Sequence, residues 1–323
     1  VEQVMRLFHF KSNNNLNLMR QNQSLTHITC EVLKGLHEEF EKFNPDLVLV
    51  QGDTSTAFAA SLSAFYANIP VGHIEAGLRT DILNDPFPEE GNRRLISQIA
   101  SLHFAPTANS RKNLINSGAK GIIKITGNTV IDALLSISKN IAKSGKIPKG
   151  FETKKLIFVS IHRRENWGKR LRDIIEGLKL ILKTHEDVQI FMTVHPNPMV
   201  KNPITNALSN NSRIILSEPL DYLELIKVIK SCELILTDSG GLQEEAPSLN
   251  KPVLLMRETT ERPEAITSGT ARLVGTNSNK ILKETSRLLF NKDDYEKMSK
   301  ANNPFGDGNA SKYILKHCED FLL

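Results

Sequence analysis

Three acidic residues in the first half of the chain stand where a parallel sheet would bring them together. Asp53 and Glu75 each come shortly after an apolar strand-forming run, and Glu89 begins a helix-forming segment. The carboxyl ends of parallel strands meet at one edge of a sheet, so we expect the three carboxylates to converge. Closely spaced carboxylates can share and transfer a proton, which predicts acid/base chemistry at this edge.

Each acid also has a purely structural interpretation, and these alternatives stay open. Asp53 suits the N-cap of the helix that follows it. Glu89 is favoured in a first helical turn, and Arg93, four residues on, could be its ion-pair partner. Glu75 is harder to explain structurally, because its apolar neighbours indicate a half-buried place where a lone carboxylate is costly.

In the second half of the chain, a short turn has the features of an anion site. An apolar strand at 234–236 leads into Asp238 and the turn Ser239-Gly240-Gly241, after which a helix is predicted from Leu242. First-turn N–H groups carry partial positive charge, and glycines let a phosphate approach the backbone. The carboxylates at 244 and 245 could accept hydrogen bonds from sugar hydroxyls. The alternative is an ordinary helix capped by the Asp or Ser of the turn.

Basic residues follow three predicted strands of the second half: His162 and Arg163, then His195, then Arg257 and Arg262. On an open surface such side chains would simply be solvated. At strand ends that face a cleft they are typical of a pyrophosphate clamp.

Strands and helices alternate along the whole chain, which predicts an α/β fold built from parallel sheets with helices on both faces. A Gly-, Pro- and Lys-rich stretch at 144–150 is predicted to link two Rossmann-like domains. We place the N-terminal domain, with the carboxylates, at 1–145 and the nucleotide-binding domain at 151–302. Residues 303–323 are expected to pack back on the first domain, and ligands to lie in a cleft between the two sheets.

Composition narrows the function classes. The chain has 323 residues, 40% hydrophobic and 24% charged, as in ordinary globular proteins. The net charge of +5 suits an anionic small ligand, while no block of five Lys or Arg residues predicts a nucleic-acid partner. No apolar run is long enough for a membrane span. The three well-separated cysteines are typical of reduced thiols and predict a cytoplasmic protein.

Cofactor motifs are absent from the sequence. No GxGxxG follows a predicted strand, so a nicotinamide cofactor is not indicated. The sequence also lacks a Walker A motif, an HExxH motif and metal-ligand spacing of Cys and His. We therefore expect neither a cofactor nor a metal.

The chemistry-bearing residues lie within eight motifs that occur in order along nearly the whole chain. They are Gly52-Asp-Thr-Ser-Thr56, Gly72-His-Ile-Glu-Ala-Gly-Leu-Arg-Thr80, Pro88-Glu-Glu-Gly-Asn-Arg93, Thr126-Gly-Asn-Thr-Val-Ile-Asp132, His162-Arg-Arg-Glu-Asn166, Asp238-Ser-Gly-Gly-Leu-Gln-Glu-Glu-Ala-Pro247, Thr260-Glu-Arg-Pro-Glu-Ala265 and Asn303-Pro-Phe-Gly-Asp-Gly308. In these motifs the chain resembles the bacterial non-hydrolysing UDP-N-acetylglucosamine 2-epimerases.

The resemblance implies a glycosyltransferase-B-like fold and the interconversion of UDP-GlcNAc and UDP-ManNAc without cofactor or metal. The family's reaction eliminates UDP to give 2-acetamidoglucal and then adds it back, with the proton returned to the other face of C2. The resemblance also implies a homodimer, and a product that supplies ManNAc for surface polysaccharide.

Matched motif by motif, the resemblance assigns roles to the residues. Asp53, Glu75 and Glu89 are implied to be the acid/base group, with Arg93 in the same pocket. His162 resembles the residue that supports the leaving UDP.

The resemblance extends to the nucleotide and to a regulator. Residues implied to hold UDP are Ser239, Gly240, Gly241, Glu245 and Arg262. Family members can carry a second UDP-GlcNAc as an allosteric activator, and Gln23, Arg163 and His195 resemble positions that contact it.

The chain departs from the family pattern at its N-terminus. Family members begin with a strand and a Gly-Thr-Arg-Pro-Glu loop that touches the nucleotide phosphates, whereas this sequence opens on Val1 without them. The resemblance then predicts that the N-terminal sheet lacks its first strand or strands, and that the chain as given is weakly active or inactive.

Three other functions fit parts of the sequence. A glycosyltransferase of the same fold would hold a UDP-sugar at the Ser239 turn, although transfer needs no base for the C2 proton. A hydrolysing epimerase would release free ManNAc and UDP. An inactive UDP-sugar-binding module would use only the nucleotide residues.

Overall fold

Apolar, β-branched runs alternate with amphipathic segments, and each run forms a strand while each segment forms a helix. The computed structural model describes residues 2–20, 23–80, 82–84, 86–141 and 155–323. Its first elements are α1 (Glu2–Leu7), α2 (Leu25–Phe43), β1 (Val48–Gln51), α3 (Ser55–Tyr66), β2 (Val71–Ile74), α4 (Glu89–Ile99), β3 (Leu102–Ala105), α5 (Ala108–Asn116), β4 (Ile122–Ile125) and α6 (Thr129–Asn140).

The later elements repeat the alternation and end in three helices. They are β5 (Lys155–Ile161), α7 (Lys169–Thr184), β6 (Val188–Val194), α8 (Pro198–Leu208), β7 (Ile214–Ser217), α9 (Tyr222–Ser231), β8 (Leu234–Thr237), α10 (Gly240–Glu245), β9 (Val253–Leu255), α11 (Pro263–Thr267), β10 (Ala271–Leu273), α12 (Ser278–Phe290), α13 (Lys292–Ser299) and α14 (Ala310–Leu322). Short 3₁₀ turns lie at Arg164–Asn166 and Ala246–Leu249.

The chain forms two compact units. Unit 1 comprises Val1–Asp132 and Phe305–Leu323, and unit 2 comprises Ala133–Pro304. The division falls inside α6, earlier than the boundary predicted from the sequence. The linker predicted at 144–150 lies outside the described residues. Two α/β units with parallel sheets agree with the predicted fold class.

Unit 1 is built on a parallel sheet with strand order β1-β2-β3-β4 among the described residues. The register aligns Val48 with Val71 and Gly72 with Leu102. Because β2 and β3 lie inside the sheet, their residues are buried on both faces, as in other parallel sheets. Consecutive strands are therefore neighbours, and the turns after β1 and β2 lie side by side.

The C-terminal segment of unit 1 is held by the 126–132 motif. The side chain of Asp132 accepts hydrogen bonds from the backbone N–H groups of Ala310 and Ser311, at 3.0 and 2.7 Å, and so caps the start of α14. Gly127, with φ +80°, leaves no room for a side chain, since a Cβ there would lie 3.0 Å from Gly306 Cα. These contacts explain why two motifs far apart in sequence have these residue types.

Unit 2 contains a six-stranded parallel sheet of order β10-β9-β8-β5-β6-β7 within the described residues. Strands β5 and β6 are almost entirely buried, and α7 covers one face with an unbroken apolar side. The chain runs outward from β5 to β7 and then returns to place β8 on the other side of β5. The loops after β5 and β8 therefore separate at a topological switch point, where ligands of open α/β sheets bind.

Some element boundaries differ from the sequence prediction. The helix predicted at 204–208 begins at Pro198, because Asn197 caps it and proline suits the first helical position. The helix predicted from Leu242 begins at Gly240, which makes the Ser239 turn shorter than expected.

Candidate functional site

Asp53 stands at the end of a tight turn after β1 and is held from two directions. Its Oδ2 atom lies 2.6 Å from Nη1 of Arg93, and its backbone carbonyl accepts a hydrogen bond of 2.8 Å from Nδ2 of Asn92. The N-cap of α3 is Thr54, whose hydroxyl accepts from the backbone N–H of Ala57. The alternative that Asp53 caps this helix is therefore wrong, and its carboxylate is directed toward Arg93.

Glu75 lies beside the Asp53 turn. Its backbone has a φ of +64°, which a residue with a side chain rarely adopts and which costs about 1–3 kcal/mol. Its carboxylate neighbours Gly52, since a Cβ added to Gly52 would lie 3.7 Å from Glu75 Oε2. The backbone N–H of Gly52 also donates to the carbonyl of Ile74, so the ends of β1 and β2 are joined. The structure thus places the Glu75 carboxylate beside the turn that carries Asp53.

Helix α4 carries the third acid and the arginine. Glu89 is half-buried at the first residue of the helix. Arg93 pairs with Asp53 and with Glu90, whose Oε2 lies 3.1 Å from Arg93 Nε, so the predicted pairing with Glu89 is not formed among the described residues. The fully buried Glu90 also binds Arg94 Nε, at 2.7 Å.

Asp53, Glu90, Arg93 and Arg94 thus form one charged group in unit 1. The side chain of Arg93 is only 5% exposed, and its positive charge directs the Asp53 carboxylate while balancing Glu90. A carboxylate that is fixed but still 29% exposed can reach a proton on a bound substrate. This arrangement suits the removal and return of a proton on a bound substrate.

In unit 2, Asp238 organises the loop after β5 and does not cap a helix. Its buried carboxylate accepts hydrogen bonds from the backbone N–H groups of His162 and Arg163, both 3.0 Å at their shortest, and from Asn166 Nδ2 at 2.9 Å. Ser239 stands at the N-cap of α10 but makes no side-chain cap hydrogen bond. The ordinary-cap alternative is therefore wrong for both residues.

A cavity of about 260 Å³ lies where the loops after β5, β6 and β8 meet in unit 2. Its walls include two histidines and the polar residues of the β8 turn: His162, His195, Ser239 and Glu245. Apolar side chains, among them Phe158 and Leu220, line the rest. The cavity has the mixed lining of a small-molecule site, with few polar groups on an apolar wall.

Burial sets the ionisation of two cavity residues. Burial raises the pKa of Glu245 to about 7, even though a hydrogen bond from the Tyr222 hydroxyl, at 2.8 Å, acts in the opposite direction. Burial lowers the pKa of His162; Arg163 and other nearby positive charges add to this effect, and Asp238 opposes it. His162 is therefore neutral at pH 7 and can donate or accept at a ligand.

The three residues of the predicted phosphate turn have different surroundings. Ser239 is half-buried at the cavity, Gly241 is exposed, and Gly240 is buried under the guanidinium of Arg262. A Cβ on Gly240 would lie 2.5 Å from Nη1 of Arg262. A side chain at position 240 would therefore have to displace the guanidinium of Arg262.

Arg262 is held by acids and not left free for a ligand. Its Nε binds the carboxylate of Glu244 and its Nη1 lies 2.8 Å from Oε1 of Glu261. Glu244 is buried, so of the two adjacent carboxylates only Glu245 lines the cavity. The prediction that both carboxylates could accept hydrogen bonds from sugar hydroxyls is therefore wrong for Glu244.

Glu261 is the centre of a cluster of arginines. Arg163, Arg257 and Arg262 each bind its carboxylate, at 2.7 to 2.9 Å. Burial acts against ionisation of Glu261, but the three arginines outweigh it and lower its pKa to about 2. Arg257 also binds Glu165 and Arg262 also binds Glu244, so the three arginines are matched by three carboxylates in one fixed ion-pair network close to the β5 and β8 loops.

The predicted regulatory residues fall in both units. Gln23 lies in unit 1, where its Nε2 donates to the carbonyl of Leu18. Arg163 and His195 lie in unit 2, the first bound to Glu261 and the second exposed at the cavity rim.

The contacts of several site residues were not predicted from the sequence. Glu90 belongs to the same pair of acids as Glu89 at the helix start, and its spacing of three and four residues to Arg93 and Arg94 is that of ion pairs on one helix face. Asn92 and Tyr222 gave no such signal, since their partners Asp53 and Glu245 are distant in the chain.

Within the described part of the chain, no group of three or more His, Cys, Asp or Glu residues is arranged to hold a metal ion. Over the same residues, no helix has the length and apolar character needed to cross a membrane.

Comparisons with known proteins bear on the whole chain. The family model described as UDP-N-acetylglucosamine 2-epimerase matches residues 1–319. The UDP-N-acetylglucosamine 2-epimerase of Escherichia coli K12 is 48% identical to this chain, across 98% of the chain and 86% of that protein.

Solved structures of UDP-GlcNAc 2-epimerases are also similar to the chain along nearly its full length. The UDP-GlcNAc 2-epimerase of Neisseria meningitidis, bound to UDP-GlcNAc, is 44% identical with a TM-score of 0.88, across 99% of this chain and 88% of that one. S. aureus MnaA with UDP is 39% identical with a TM-score of 0.92, across 100% of this chain and 87% of that one. From the family match and the identity along nearly its full length, the chain belongs to the UDP-N-acetylglucosamine 2-epimerase family, a family of isomerases.

Proposed function

We propose that the protein interconverts UDP-GlcNAc and UDP-ManNAc by eliminating and re-adding UDP, without net hydrolysis. The observation that carries this proposal is the placement of Asp53 and Glu75 at the ends of two adjacent strands, with the Glu75 carboxylate beside Gly52 and Arg93 bound to Asp53. Inversion at C2 requires a base that removes a proton and an acid that returns one. Two relatives with solved structures were seen with UDP-GlcNAc or UDP, which supports the choice of ligand.

The proposed reaction has two balanced steps. A carboxylate takes the C2 proton, the C2–H electron pair forms the C1=C2 double bond of 2-acetamidoglucal, and the C1–O bond breaks with its electrons leaving on UDP. In the second step UDP oxygen attacks C1, and C2 receives a proton on the opposite face. Asp53, Glu75 and Glu89 supply these proton transfers, and Arg93 keeps the Asp53 carboxylate in place.

The nucleotide is assigned to the cavity of unit 2. Ser239 and Glu245 line this cavity, Ser239 as a donor to the phosphates and Glu245 as an acceptor for ribose hydroxyls. Gly240 and Gly241 follow Ser239 in the same turn, and we assign their backbone to the phosphates as well. The ion-pair network of Arg163, Arg257 and Arg262 with Glu261 fixes Arg262 against the Gly240 turn, and neutral His162 supports the departing diphosphate. Held UDP is protected from loss, so it can add back to the glycal.

Product analysis tests this proposal against the other functions. The protein is incubated for hours with UDP-GlcNAc, so that slow turnover is also recorded, and products are separated by ion-exchange chromatography and identified by NMR. We expect UDP-ManNAc to accumulate together with UDP-GlcNAc at equilibrium. Free ManNAc with stoichiometric UDP would show a hydrolysing epimerase instead, and UDP binding without any product would show a binding module.

The remaining family properties stay predictions. They are a homodimer, a cytoplasmic location, activation by a second UDP-GlcNAc through Gln23, Arg163 and His195, and supply of ManNAc to a surface polysaccharide. Activation would appear as a sigmoidal dependence of the initial rate on UDP-GlcNAc, which becomes hyperbolic in an Arg163→Ala variant.

A further inference from the structure

A buried histidine connects the two acid-bearing turns of unit 1. His73 is fully buried on β2, two residues before Glu75. Its Nε2 donates a hydrogen bond of 2.8 Å to the backbone carbonyl of Gly52, which belongs to the peptide that precedes Asp53. The side chain of His73 thus projects from the strand that precedes Glu75 and fixes the backbone next to Asp53.

The Asp53 backbone is held on its other side as well. The carbonyl of Asp53 accepts a hydrogen bond of 2.8 Å from Asn92, which is 6% exposed. The two peptide carbonyls on either side of the Asp53 Cα are therefore each fixed by a buried side-chain donor. A turn with a positive φ at Gly52, +73°, gains its single conformation from such contacts.

The His73 ring stays neutral at ordinary pH. Burial lowers its pKa to about 4, and His103, Arg79 and Arg93 add to this effect, while the hydrogen bond to Gly52 acts against it. Because the carbonyl of Gly52 can only accept, the ring proton of the neutral form lies on Nε2. The donor is thus present at neutral pH.

The chain provides a matched control in His103. This residue lies opposite His73 in the sheet register, is equally buried, and donates from Nε2 to a backbone carbonyl, that of Lys120, at 2.7 Å. Lys120 precedes β4 and therefore lies at the opposite edge of the sheet from the acids. Loss of His103 removes the same kind of contact without touching the Asp53 turn.

We propose that His73 is a positioning residue, whose hydrogen bond to the Gly52 carbonyl sets the place of Asp53 relative to Glu75. This inference rests on the proposed function only for its kinetic consequence. Its structural part, the fixing of the Gly52–Asp53 peptide by His73, can be measured without any turnover.

The kinetic test compares three variants. Replacement His73→Leu removes the donor and is expected to lower kcat by roughly tenfold to a hundredfold, since small misplacements of a reacting group have such effects. The KM for UDP-GlcNAc should change little, because the proposed nucleotide residues lie in unit 2. Glutamine places its amide nitrogen near the position of Nε2, so His73→Gln should keep most of the wild-type kcat. His103→Leu should lower the melting temperature as His73→Leu does, and leave kcat unchanged.

The structural test uses NMR to follow the peptide group between Gly52 and Asp53. The sequence has two Gly-Asp pairs, Gly52-Asp53 and Gly306-Asp307. Labelling glycine with ¹³C at the carbonyl and aspartate with ¹⁵N therefore gives two cross-peaks in an HNCO spectrum. His73→Leu should shift the Gly52-Asp53 cross-peak and leave the other in place, and His103→Leu should shift neither.

The outcomes separate this inference from the proposed function. An unchanged Gly52-Asp53 cross-peak in His73→Leu, equal losses of kcat in His73→Leu and His103→Leu, or a His73→Gln protein as slow as His73→Leu would overturn the inference. If the leucine variant does not fold, the variants His73→Asn and His73→Gln are compared instead. The asparagine side chain is too short to reach Gly52, so His73→Asn should have a lowered kcat, whereas His73→Gln should keep most of the wild-type kcat. A wild-type protein that makes no UDP-ManNAc would contradict the proposed function, and the NMR result would still decide the role of His73.

Discussion

At the scale of single residues, burial decides which side chains of the cavity are charged. Glu245 lines the cavity and shares a hydrogen bond with Tyr222, yet burial raises its pKa to about 7. Between pH 6 and pH 8 the carboxyl group of the unliganded protein therefore changes from mostly protonated to mostly ionised. An ionised carboxylate accepts stronger hydrogen bonds from ribose hydroxyls than a protonated one does.

We predict that UDP binds more tightly at pH 8 than at pH 6, by roughly fivefold, because the hydrogen bonds to Glu245 become charge-assisted. The Glu245→Gln variant should lose this part of the pH dependence, and it also corrects for ionisation of the UDP phosphate itself. Isothermal titration calorimetry at several pH values measures both proteins. Parallel pH profiles for the two proteins would show that Glu245 does not meet the ligand.

The same raised pKa has a consequence for stability. Glu245 in the folded protein binds a proton more tightly than the ordinary value of 4.5 allows. Its stabilising contribution is therefore complete below pH 4.5 and is lost as the pH rises through about 7. Glu261 has the opposite sign, since its folded pKa is about 2, and its contribution is present above pH 4.5 and lost as the pH falls toward 2.

The Glu261→Gln replacement should therefore lower the free energy of unfolding at pH 7 by about 3 kcal/mol, because three arginines lose a shared, buried partner. The difference from wild type should shrink at pH 3. Urea unfolding followed by circular dichroism measures it at both pH values. Glu284→Gln is the matched control, since Glu284 binds one arginine, Arg272, and its loss should cost no more than about 1 kcal/mol. Equal effects of the two replacements would contradict the central place given to Glu261.

At the scale of elements, the turn between β8 and α10 depends on two adjacent glycines with different surroundings. Gly240 lies under Arg262, whereas a Cβ on Gly241 would meet nothing nearer than Glu245 Oε2, at 3.7 Å. The guanidinium of Arg262 is fixed by Glu244 and Glu261, so it cannot easily move away. A methyl group should therefore be harmful at one position and harmless at the next.

We predict that Gly240→Ala lowers the free energy of unfolding by about 1–3 kcal/mol, as overpacking does, and weakens UDP binding through displacement of Arg262. Gly241→Ala should leave stability unchanged or raise it by about 0.5–1 kcal/mol, since alanine favours the helix that begins there. Thermal and urea unfolding of both variants test this pair. Similar stability of the two variants would show that Arg262 does not pack on the turn as described.

The elements themselves were largely predictable from the sequence. Buried β-branched runs and amphipathic segments gave the strands, helices and α/β class. Side-chain roles at element ends were less predictable, because helix capping competes with tertiary contacts for the same residue types. Asp53 and Asp238 both fit a cap by sequence, and both instead bind partners from other elements, Arg93 and the loop of His162.

At the scale of the whole molecule, the two units contribute different chemistry. Unit 1 contains the carboxylates of Asp53 and Glu75 together with Arg93, and unit 2 contains the cavity and the arginines around Glu261. The motifs in the sequence indicated both the acidic residues of unit 1 and the nucleotide residues of unit 2. It could not give contacts such as that of Asp238 with Asn166, 72 residues apart, because such pairs arise only when the sheet is formed.

The central claim is that Asp53 takes part in moving the C2 proton while UDP is held by other residues. Incubation with UDP-GlcNAc in D₂O, followed by ¹H NMR, tests it most directly in wild type and in Asp53→Asn. We predict that wild type replaces the C2 proton with deuterium as UDP-ManNAc forms. The variant should show no exchange while still binding UDP in calorimetry. UDP-ManNAc that retains its proton at C2, or exchange that persists in Asp53→Asn, would contradict the claim.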